Sequence, residues 1–318
     1  SRDEIMKTYI VKRVLTAAAT LFAIVLALFL MLELMPGSPF NDEKLSPEQV
    51  AVLREKYGLD GPVLIRFARY VGRMMTGDLG VSYNIQKNVP VTEMIRARLP
   101  ISIRIGLQAV CVGAVLGLLL GVLAALRHNS IADTFSTVVS VLGVSVPSFV
   151  FAFVLLYYLG FKAGWFPILY KVNRPVASTI LPTLALSMFT LAQIARFARS
   201  EMLEALGSEY MLFARSKGLS PFRTNFVHAL RNVLIPIITV LAPLVVNLMT
   251  GSMVVEKIFS IPGVGSLLVT AIQSNDYNVV ISLTFVYCVL YIGLMLAVDL
   301  LYGVIDPRIR LAGGKRHD

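Results

Sequence analysis

The chain has 318 residues, of which 56% are hydrophobic and 15% charged, and its formal net charge is +10. Soluble globular domains have a more even balance of apolar and polar residues, so this composition argues against a soluble enzyme and predicts a membrane protein. In a membrane protein a basic excess reflects anionic lipid and the charge bias of cytoplasmic loops, and we therefore expect no nucleic-acid partner.

The N-terminal residues lead into the first long apolar segment. Met6 has the character of a natural start, so we expect residues 1–5 to be additions ahead of the native chain and residues 6–318 to form a single membrane domain. The basic residues up to Arg13 are followed by an apolar run too long for a signal-peptide core, without a small-residue cleavage site. This run predicts a retained membrane helix.

Membrane-spanning helices account for most of the apolar residues. Crossing about 30 Å of hydrocarbon takes about 20 apolar residues in a helix, because the backbone must satisfy its own hydrogen bonds there. We predict an all-α membrane protein with six transmembrane helices, in the windows 14–35, 105–126, 134–161, 175–195, 232–255 and 277–298.

Basic residues predict how the six helices are oriented. With six helices both termini lie on one side, and the segments on that side (1–13, 127–133, 196–231 and 299–318) carry fifteen Lys and Arg residues. The two short loops on the other side carry four. Since cytoplasmic loops are enriched in Lys and Arg, both termini are predicted to be cytoplasmic.

The segment from about residue 36 to residue 104 is then external. Ser46, Pro47 and Gln49 form a capping-box pattern with a proline in the first turn, and Gly58 is placed to end that helix. Pro62 is placed to start a second helix that ends by Gly77. We therefore predict a small external helical insertion between the first two membrane helices.

The cytoplasmic segment 196–231 is too polar to cross the membrane but has helix signals. Ser208 is placed to cap a helix over residues 209–217, and Gly218 to end it. Tyr210, Phe213 and Ala214 share one face by their spacing. Two alternatives remain open: this helix packs beneath its own bundle, or it enters a groove on a cytoplasmic partner.

The same segment resembles the signature loop of permease subunits of ATP-binding-cassette (ABC) importers. The resemblance rests on Glu209-Tyr210, Phe213-Ala214-Arg215-Ser216-Lys217-Gly218-Leu219 and the downstream His228-Ala229-Leu230-Arg231-Asn232. In that family the short helix is a coupling helix that docks on the ATPase. The resemblance assigns ATPase coupling here to Glu209, Tyr210, Phe213, Ala214, Arg215, Lys217 and Gly218.

Nearly the whole chain is similar to the first-permease branch of the oligopeptide, dipeptide and nickel permease family. The motifs are Met35-Pro36-Gly37, Tyr57-Gly58-Leu59-Asp60, Thr76-Gly77-Asp78-Leu79-Gly80, Gly143 with Pro147, Ile261-Pro262-Gly263-Val264-Gly265 and Asp306-Pro307-Arg308. Ser38 departs from the acidic residue common there. The resemblance implies a type I importer fold and an external gate, or scoop, loop formed by Glu256, Phe259, Pro262, Gly263 and Gly265.

The resemblance also implies partners. These are a paired homologous permease, two ABC ATPase subunits, an extracytoplasmic substrate-binding protein and a peptide substrate, in a bacterial or archaeal cell membrane. We expect oligopeptides as the substrate, with dipeptides and nickel as alternatives. We find no phosphate-binding loop of the type G-x-x-x-x-G-K-[ST] in the sequence, so ATP and magnesium are expected in the partner ATPases and no cofactor in this chain.

Two other classes of function fit the sequence less well. A secondary transporter needs ionisable groups at membrane depth, and five of the six windows contain none. An intramembrane hydrolase needs a nucleophile and a base at helical depth, whereas the three histidines lie in or beside loops and in the tail. Cys111 and Cys288 have no partner at metal-ligand spacing, so we expect no metal site and no catalytic residue.

Overall fold

The computed structural model describes residues 2–34, 46–56, 60–218, 220, 224, 229–249 and 252–305, and most of these residues lie in helices. An isolated antiparallel bridge joins Val81 to Pro90. The family motifs at 35–37, 57–59 and 306–308, with Ser38 and the helix end predicted at Gly58, lie outside the described residues. The helices are α1 Arg2–Leu34, α2 Pro47–Lys56, α3 Val63–Met75, α4 Val91–Leu126, α5 Ile131–Ser145, α6 Ser148–Leu155, continued by a π-helix Leu156–Lys162, α7 Pro175–Gly207, α8 Glu209–Ser216, α9 Leu230–Met249, α10 Met253–Ile258, α11 Val264–Gln273 and α12 Tyr277–Ile305.

Apolar helices long enough to cross a membrane make this a multi-pass membrane protein. Within the described residues four straight segments qualify, namely Ile10–Leu30, Val91–Leu126, Pro175–Gly207 and Tyr277–Val298. The pair Ile131–Ser145 and Ser148–Lys162 is bent by 107° and adds a fifth if it crosses as one span. The remaining predicted window, 232–255, the fifth in chain order, contains most of the 20-residue α9.

Two compact units divide the chain: one comprises residues 1–99 and 267–318, the other residues 100–266. In the first unit α1 packs against α12. The loop after α3 is fastened to the start of α12 by Asp276, whose carboxylate accepts hydrogen bonds from the Ser82 hydroxyl at 2.5 Å and from the backbone N–H groups of Tyr83, Asn84 and Ile85 at 2.9–3.1 Å. The Asn278 side chain also donates to the carbonyls of residues 79 and 81.

In the second unit α7 is the central helix. It packs against α5, α6 and α9, and a long row of its side chains is buried, among them Leu181, Ala185, Ile194 and Met202. The short α10 lies against α6 and α7. Because α7 continues to Gly207, it carries this core directly to the start of α8.

Glycines allow α4 and α7 to lie unusually close together. A Cβ atom on Gly117 would stand 2.6 Å from the Leu191 carbonyl oxygen, and one on Gly113 would stand 2.7 Å from that of Ser187. Gly121 meets the next turn of α7 in the same way. Three glycines at intervals of four residues are the small-residue spacing that lets membrane helices approach backbone to backbone.

Proline explains the break between α5 and α6. Pro147 lacks a backbone donor and forces the preceding residue out of the helical region, and Val146 has the extended angles φ −90° and ψ 125°. Pro147 therefore divides the third predicted window, 134–161, into two helices. Pro182, Pro236 and Pro243 lie inside α7 and α9, which continue through them.

Several helices are longer than their apolar windows. α4 begins at Val91 instead of residue 105 and continues through Pro100, while α7 extends past residue 195 to Gly207. An apolar window identifies only the part of a helix that can lie in hydrocarbon. Outside the hydrocarbon a helix can continue through charged residues, as α4 does through Arg96 and Arg98.

Candidate functional site

The predicted coupling helix is present as α8, Glu209–Ser216, one residue shorter than expected. Ser208 occupies the N-cap position, and its carbonyl accepts from the Met211 N–H at 3.1 Å. Its hydroxyl donates back to the Ala205 carbonyl at the end of α7, so it fastens the turn between the two helices. Gly218 has a φ of +76°, the left-handed conformation expected of a residue that ends a helix.

Met211 fixes α8 to its own bundle. Its side chain is fully buried. Met211 does not belong to the face that helical spacing gives to Tyr210, Phe213 and Ala214. The signal available in the sequence was a large apolar residue on the face opposite to Phe213, since residues two apart in a helix point to different sides. The buried cluster around Met211 joins α4, α7, α8 and α9 through Val122, Ala125, Ile194, Ala198, Met202, Ala205, Ala229, Val233 and Ile237.

The other face of α8 is open. Phe213 is 61% exposed and Leu212 67% exposed, although both are large apolar side chains. The Lys217 ammonium lies 4.4 Å from the centre of the Phe213 ring, a cation–π distance, and Glu209 is exposed. The structure does not describe the side chains of Tyr210, Ala214 and Arg215. The helix thus packs beneath its own bundle through Met211, as the first alternative expects, and presents apolar side chains outward; docking on a partner stays a prediction.

A buried ion pair ties α5 to the same end of α7. The Arg199 guanidinium donates to both carboxylate oxygens of Asp133, at 2.5 and 2.9 Å. The Asn129 N–H also donates to Asp133 at 2.9 Å, and His128 Nδ1 lies 3.1 Å from it. Asp133 is 5% exposed. Nothing in the local sequence marks Asp133 as part of a site, because a single sequence does not reveal which distant cation it meets.

The predicted gate loop contains a buried carboxylate. Glu256 is 2% exposed and lies in α10. Its Oε1 accepts from the Ser102 hydroxyl at 2.6 Å and its Oε2 from the Ser266 N–H at 2.7 Å. The Ser102 oxygen in turn accepts from the Val264 N–H at 2.9 Å. Glu256 therefore joins the loop after α10 to α4 within the second unit.

The glycines of this loop make room for that carboxylate. A Cβ on Gly263 would meet Glu256 and the Ser102 hydroxyl, and one on Gly265 would lie 3.0 Å from Glu256 Oε2. Neither glycine has a positive φ, whereas Ser260 does, at +52°. Close approach to Glu256, not turn conformation, is therefore the reason for glycine at these two positions.

The remaining gate residues also pack inward. Phe259 is 1% exposed, and its carbonyl accepts from the Tyr170 N–H at 2.8 Å. Pro262 is partly buried. The structure thus brings Glu256, Phe259, Gly263 and Gly265 together as one packed unit. Within the described residues, no group of three or more His, Cys, Asp or Glu side chains is placed to hold a metal ion.

Two family models match this chain. Residues 117–311 match the model described as binding-protein-dependent transport system inner membrane component, and residues 6–106 match the model of the N-terminal part of such membrane components. The first match contains α7, α8 and the Glu256 loop.

Full-length relatives agree with these matches. The chain is 46% identical over 306 residues to a dipeptide transport system permease protein of Lactococcus lactis subsp. cremoris, covering 96% of this chain and 100% of the relative. It is 40% identical to a dipeptide transport system permease protein of Bacillus subtilis, with 96% and 99% covered. An oligopeptide transport system permease protein of Salmonella typhimurium is 37% identical, with 96% and 100% covered.

Proposed function

Since the chain belongs to the family of inner membrane components of binding-protein-dependent transport systems, we propose that it is a permease subunit of an ABC importer that forms half of a peptide pathway. The dipeptide and oligopeptide relatives, similar over nearly the full length, support peptides over nickel as the substrate class. The partners are a paired permease, two ABC ATPase subunits that bind ATP and magnesium, and an extracytoplasmic substrate-binding protein.

The observation that carries the coupling mechanism is the two-sided packing of α8. Met211 is buried in a cluster that includes α7, α4 and α9, while Phe213 on the opposite side and the adjoining Leu212 stay exposed. An exposed aromatic and aliphatic pair fits a groove on an ATPase, and the buried face transmits a displacement of α8 to the core, because packed interiors are stiff. Glu209, Tyr210, Ala214, Arg215, Lys217 and Gly218 complete the proposed docking segment.

The proposed topology has six transmembrane helices and one permease domain over residues 6–318. It places both termini and α8 in the cytoplasm of a bacterial or archaeal cell, and the helical insertion between α1 and the apolar part of α4 outside. The Glu256 loop then lies at the external end of the bundle. Its internal hydrogen bonds suit an external gate that moves as a rigid piece.

Uptake by the reconstituted complex tests the coupling proposal. Gly218→Trp places a bulky side chain at a left-handed residue, so we expect peptide uptake to fall at least tenfold, by about 1.4 kcal/mol or more in transport barrier, while the chain still inserts. Gly218→Asn is the matched control, because asparagine tolerates that conformation better than other side chains. Phe213→Asp should likewise lower uptake and co-purification of the ATPases, and Phe213→Tyr should preserve both. Wild-type uptake and ATPase retention by Gly218→Trp and Phe213→Asp would falsify the assignment of α8.

A further inference from the structure

The helix α3 has three distinct faces. Val63, Phe67, Tyr70 and Met74 recur at spacings of four and three, as do Leu64, Ala68, Val71 and Met75, so each set forms a stripe along the helix. Arg66, Arg69 and Arg73 form a third stripe. We call these sets the inner, outer and basic stripes of α3.

The inner stripe packs on the membrane-spanning part of α1. The Phe67 ring lies 5.7 Å from that of Phe22 and 5.3 Å from that of Phe29, and Tyr70 lies 6.2 Å from Phe29. Both α1 rings lie inside the apolar segment Ile10–Leu30. These contacts place α3 directly against the apolar segment of α1 that is long enough to cross the membrane.

The outer stripe leaves large apolar side chains uncovered. Leu64 is 80% exposed and Met75 is 84% exposed. The span of α1 on which the inner stripe packs is itself only 6% buried, the lowest fraction among the four straight spans. The outer stripe therefore exposes apolar side chains on a helix whose partner has the composition and length of a lipid-facing helix.

By its spacing the basic stripe lies on the side of α3 away from the outer stripe. Arg69 and Arg73 are exposed. A helix with an apolar face and an arginine-rich face lies in the plane of the membrane interface, with its apolar side among acyl chains and its cations among anionic headgroups. Since Tyr70 and Phe67 fix the rotation of α3 on α1, the two faces have a set direction.

We propose that α3 is an interfacial membrane helix whose outer stripe is buried in lipid and whose basic stripe binds the headgroups of anionic phospholipids. The phosphate groups of such lipids accept charge-assisted hydrogen bonds from guanidinium groups. The binding anchors the segment between α1 and α4 to the bilayer. This proposal needs the chain to be in a membrane, but it does not depend on transport or on the sidedness of the termini.

Site-directed spin labels test the direction of the outer stripe. In a Cys111→Ser, Cys288→Ala background, Leu64→Cys and Met75→Cys are labelled in the full chain reconstituted into phosphatidylcholine vesicles containing about a third phosphatidylglycerol. Labels at both positions are expected to collide with oxygen, which concentrates in lipid, more than with a water-soluble nickel chelate. Arg69→Cys is the matched control on the basic stripe and is expected to show the opposite preference.

Lipid titration tests the basic stripe. Phosphatidylglycerol is added to the detergent-solubilised chain, and the bound lipid is counted by native mass spectrometry. The double variant Arg69→Gln, Arg73→Gln is expected to weaken apparent binding at least about tenfold, since each basic residue near an anionic surface contributes about a factor of five. The control pair Arg54→Gln, Lys87→Gln removes the same charge from the same segment and is expected to bind as the wild type.

Three results would overturn the proposal. One is that the labels at positions 64 and 75 collide more with the nickel chelate than with oxygen, which would place the outer stripe in water. Another is shielding of these labels that appears only after a substrate-binding protein or a second permease is added, which would make the stripe a protein interface. The third is equal lipid binding by the two double variants. Leu64 and Met75 are probed separately, so poor insertion of one variant leaves the other informative.

Discussion

Buried carboxylates hold two loops of this chain in place, Glu256 in one unit and Asp276 in the other. Each accepts a hydrogen bond from a serine hydroxyl; Glu256 also accepts from one backbone N–H group and Asp276 from three. Hydrogen bonds to a charged acceptor are worth more than neutral ones, and leaving such a group without them is costly when it is buried. Side chains around these carboxylates are therefore sensitive to small changes.

Gly263 is the most confined of the residues around Glu256. In Gly263→Ala the new Cβ overlaps Glu256 and Ser102, so we expect a loss of about 1–3 kcal/mol in the free energy of unfolding, the usual cost of overpacking. The measurement is chemical unfolding of the purified chain in mixed micelles. Gly72→Ala is the control, because nothing lies within 4 Å of its Cβ position. It should be neutral or stabilising by up to about 1 kcal/mol, and equal stability of the two variants would contradict the confinement of Gly263.

The pair Asp133–Arg199 offers a second test at the scale of residues. Arg199→Gln leaves Asp133 buried without its bidentate donor, so we expect a loss of about 1.5–3 kcal/mol in unfolding free energy. Asp133→Asn should cost a similar amount, and the double variant less than the sum, because the residues act as a pair. Arg196→Gln removes the same charge from an exposed position on α7 and is expected to change stability little. Additive losses in the double-mutant cycle would show that the two residues do not interact.

Elements of this bundle are held together by close backbone packing as well as by side chains. The contact of α4 with α7 depends on Gly113, Gly117 and Gly121, which the sequence displays plainly at intervals of four residues. The contact of α8 with the core depends on Met211. Because lipid offers no hydrophobic driving force between helices, such close packing is a main source of helix association in a bilayer.

Gly117→Leu separates α4 from α7. Its side chain would have to displace the Leu191 carbonyl and the Ile194 side chain, and we expect a loss of about 1–3 kcal/mol in stability. The apparent Tm of the detergent-solubilised chain should fall accordingly. Val115→Leu adds bulk to the same helix at a position that is 58% exposed, so its Tm should stay near that of the wild type. If both variants melted alike, the glycine stripe would not be a tight contact.

Local signals in the sequence predicted some elements well. The capping box of α2 is confirmed, since the Gln49 N–H donates to Ser46 Oγ and the Ser46 N–H donates to the Gln49 side chain. Gly218 ends its helix in the left-handed conformation expected. These features involve residues three or four positions apart, for which a single sequence contains all the information needed.

Features that depend on distant residues were missed. Glu256 is buried because Ser102, more than a hundred residues earlier in the chain, donates to it, and nothing in the local sequence distinguishes it from an exposed loop glutamate. Helical periodicity grouped Phe213 with its neighbours but did not show that Met211 would be the buried contact. Burial on a short helix is decided by what the rest of the chain brings to it.

The topology of the whole molecule depends on the bent pair α5–α6. Each half of the pair is about 22 Å long at 1.5 Å per residue, less than the roughly 30 Å of hydrocarbon. If the pair crosses once and α9 crosses as well, the four straight spans bring the total to six and both termini lie on the same side. If the pair enters and leaves on one side, the total is five and the termini lie on opposite sides.

Reporter fusions decide between these topologies. We expect a fluorescent protein that folds only in the cytoplasm to be bright at either terminus, and alkaline phosphatase, which is active only outside, to be inactive at both. A fusion after Arg174, in the loop before α7, is expected to reverse both readouts, because that loop is external if α5–α6 crosses the membrane once. An active phosphatase at the C-terminus with a bright reporter at the N-terminus would mean that α5–α6 does not cross the membrane.

The carboxylate of Asp276 also has a consequence for the kinetics of the loop that it holds. The amide protons of Tyr83, Asn84 and Ile85 point at a fully buried anion, so they can exchange with deuterium only when the loop opens. This irregular stretch, outside the regular helices, should therefore retain its protons as long as the adjoining first turns of α12. The rate at which these amide protons exchange in heavy water would report how often the start of α12 opens. The sequence alone suggests a freely exchanging linker in this part of the chain.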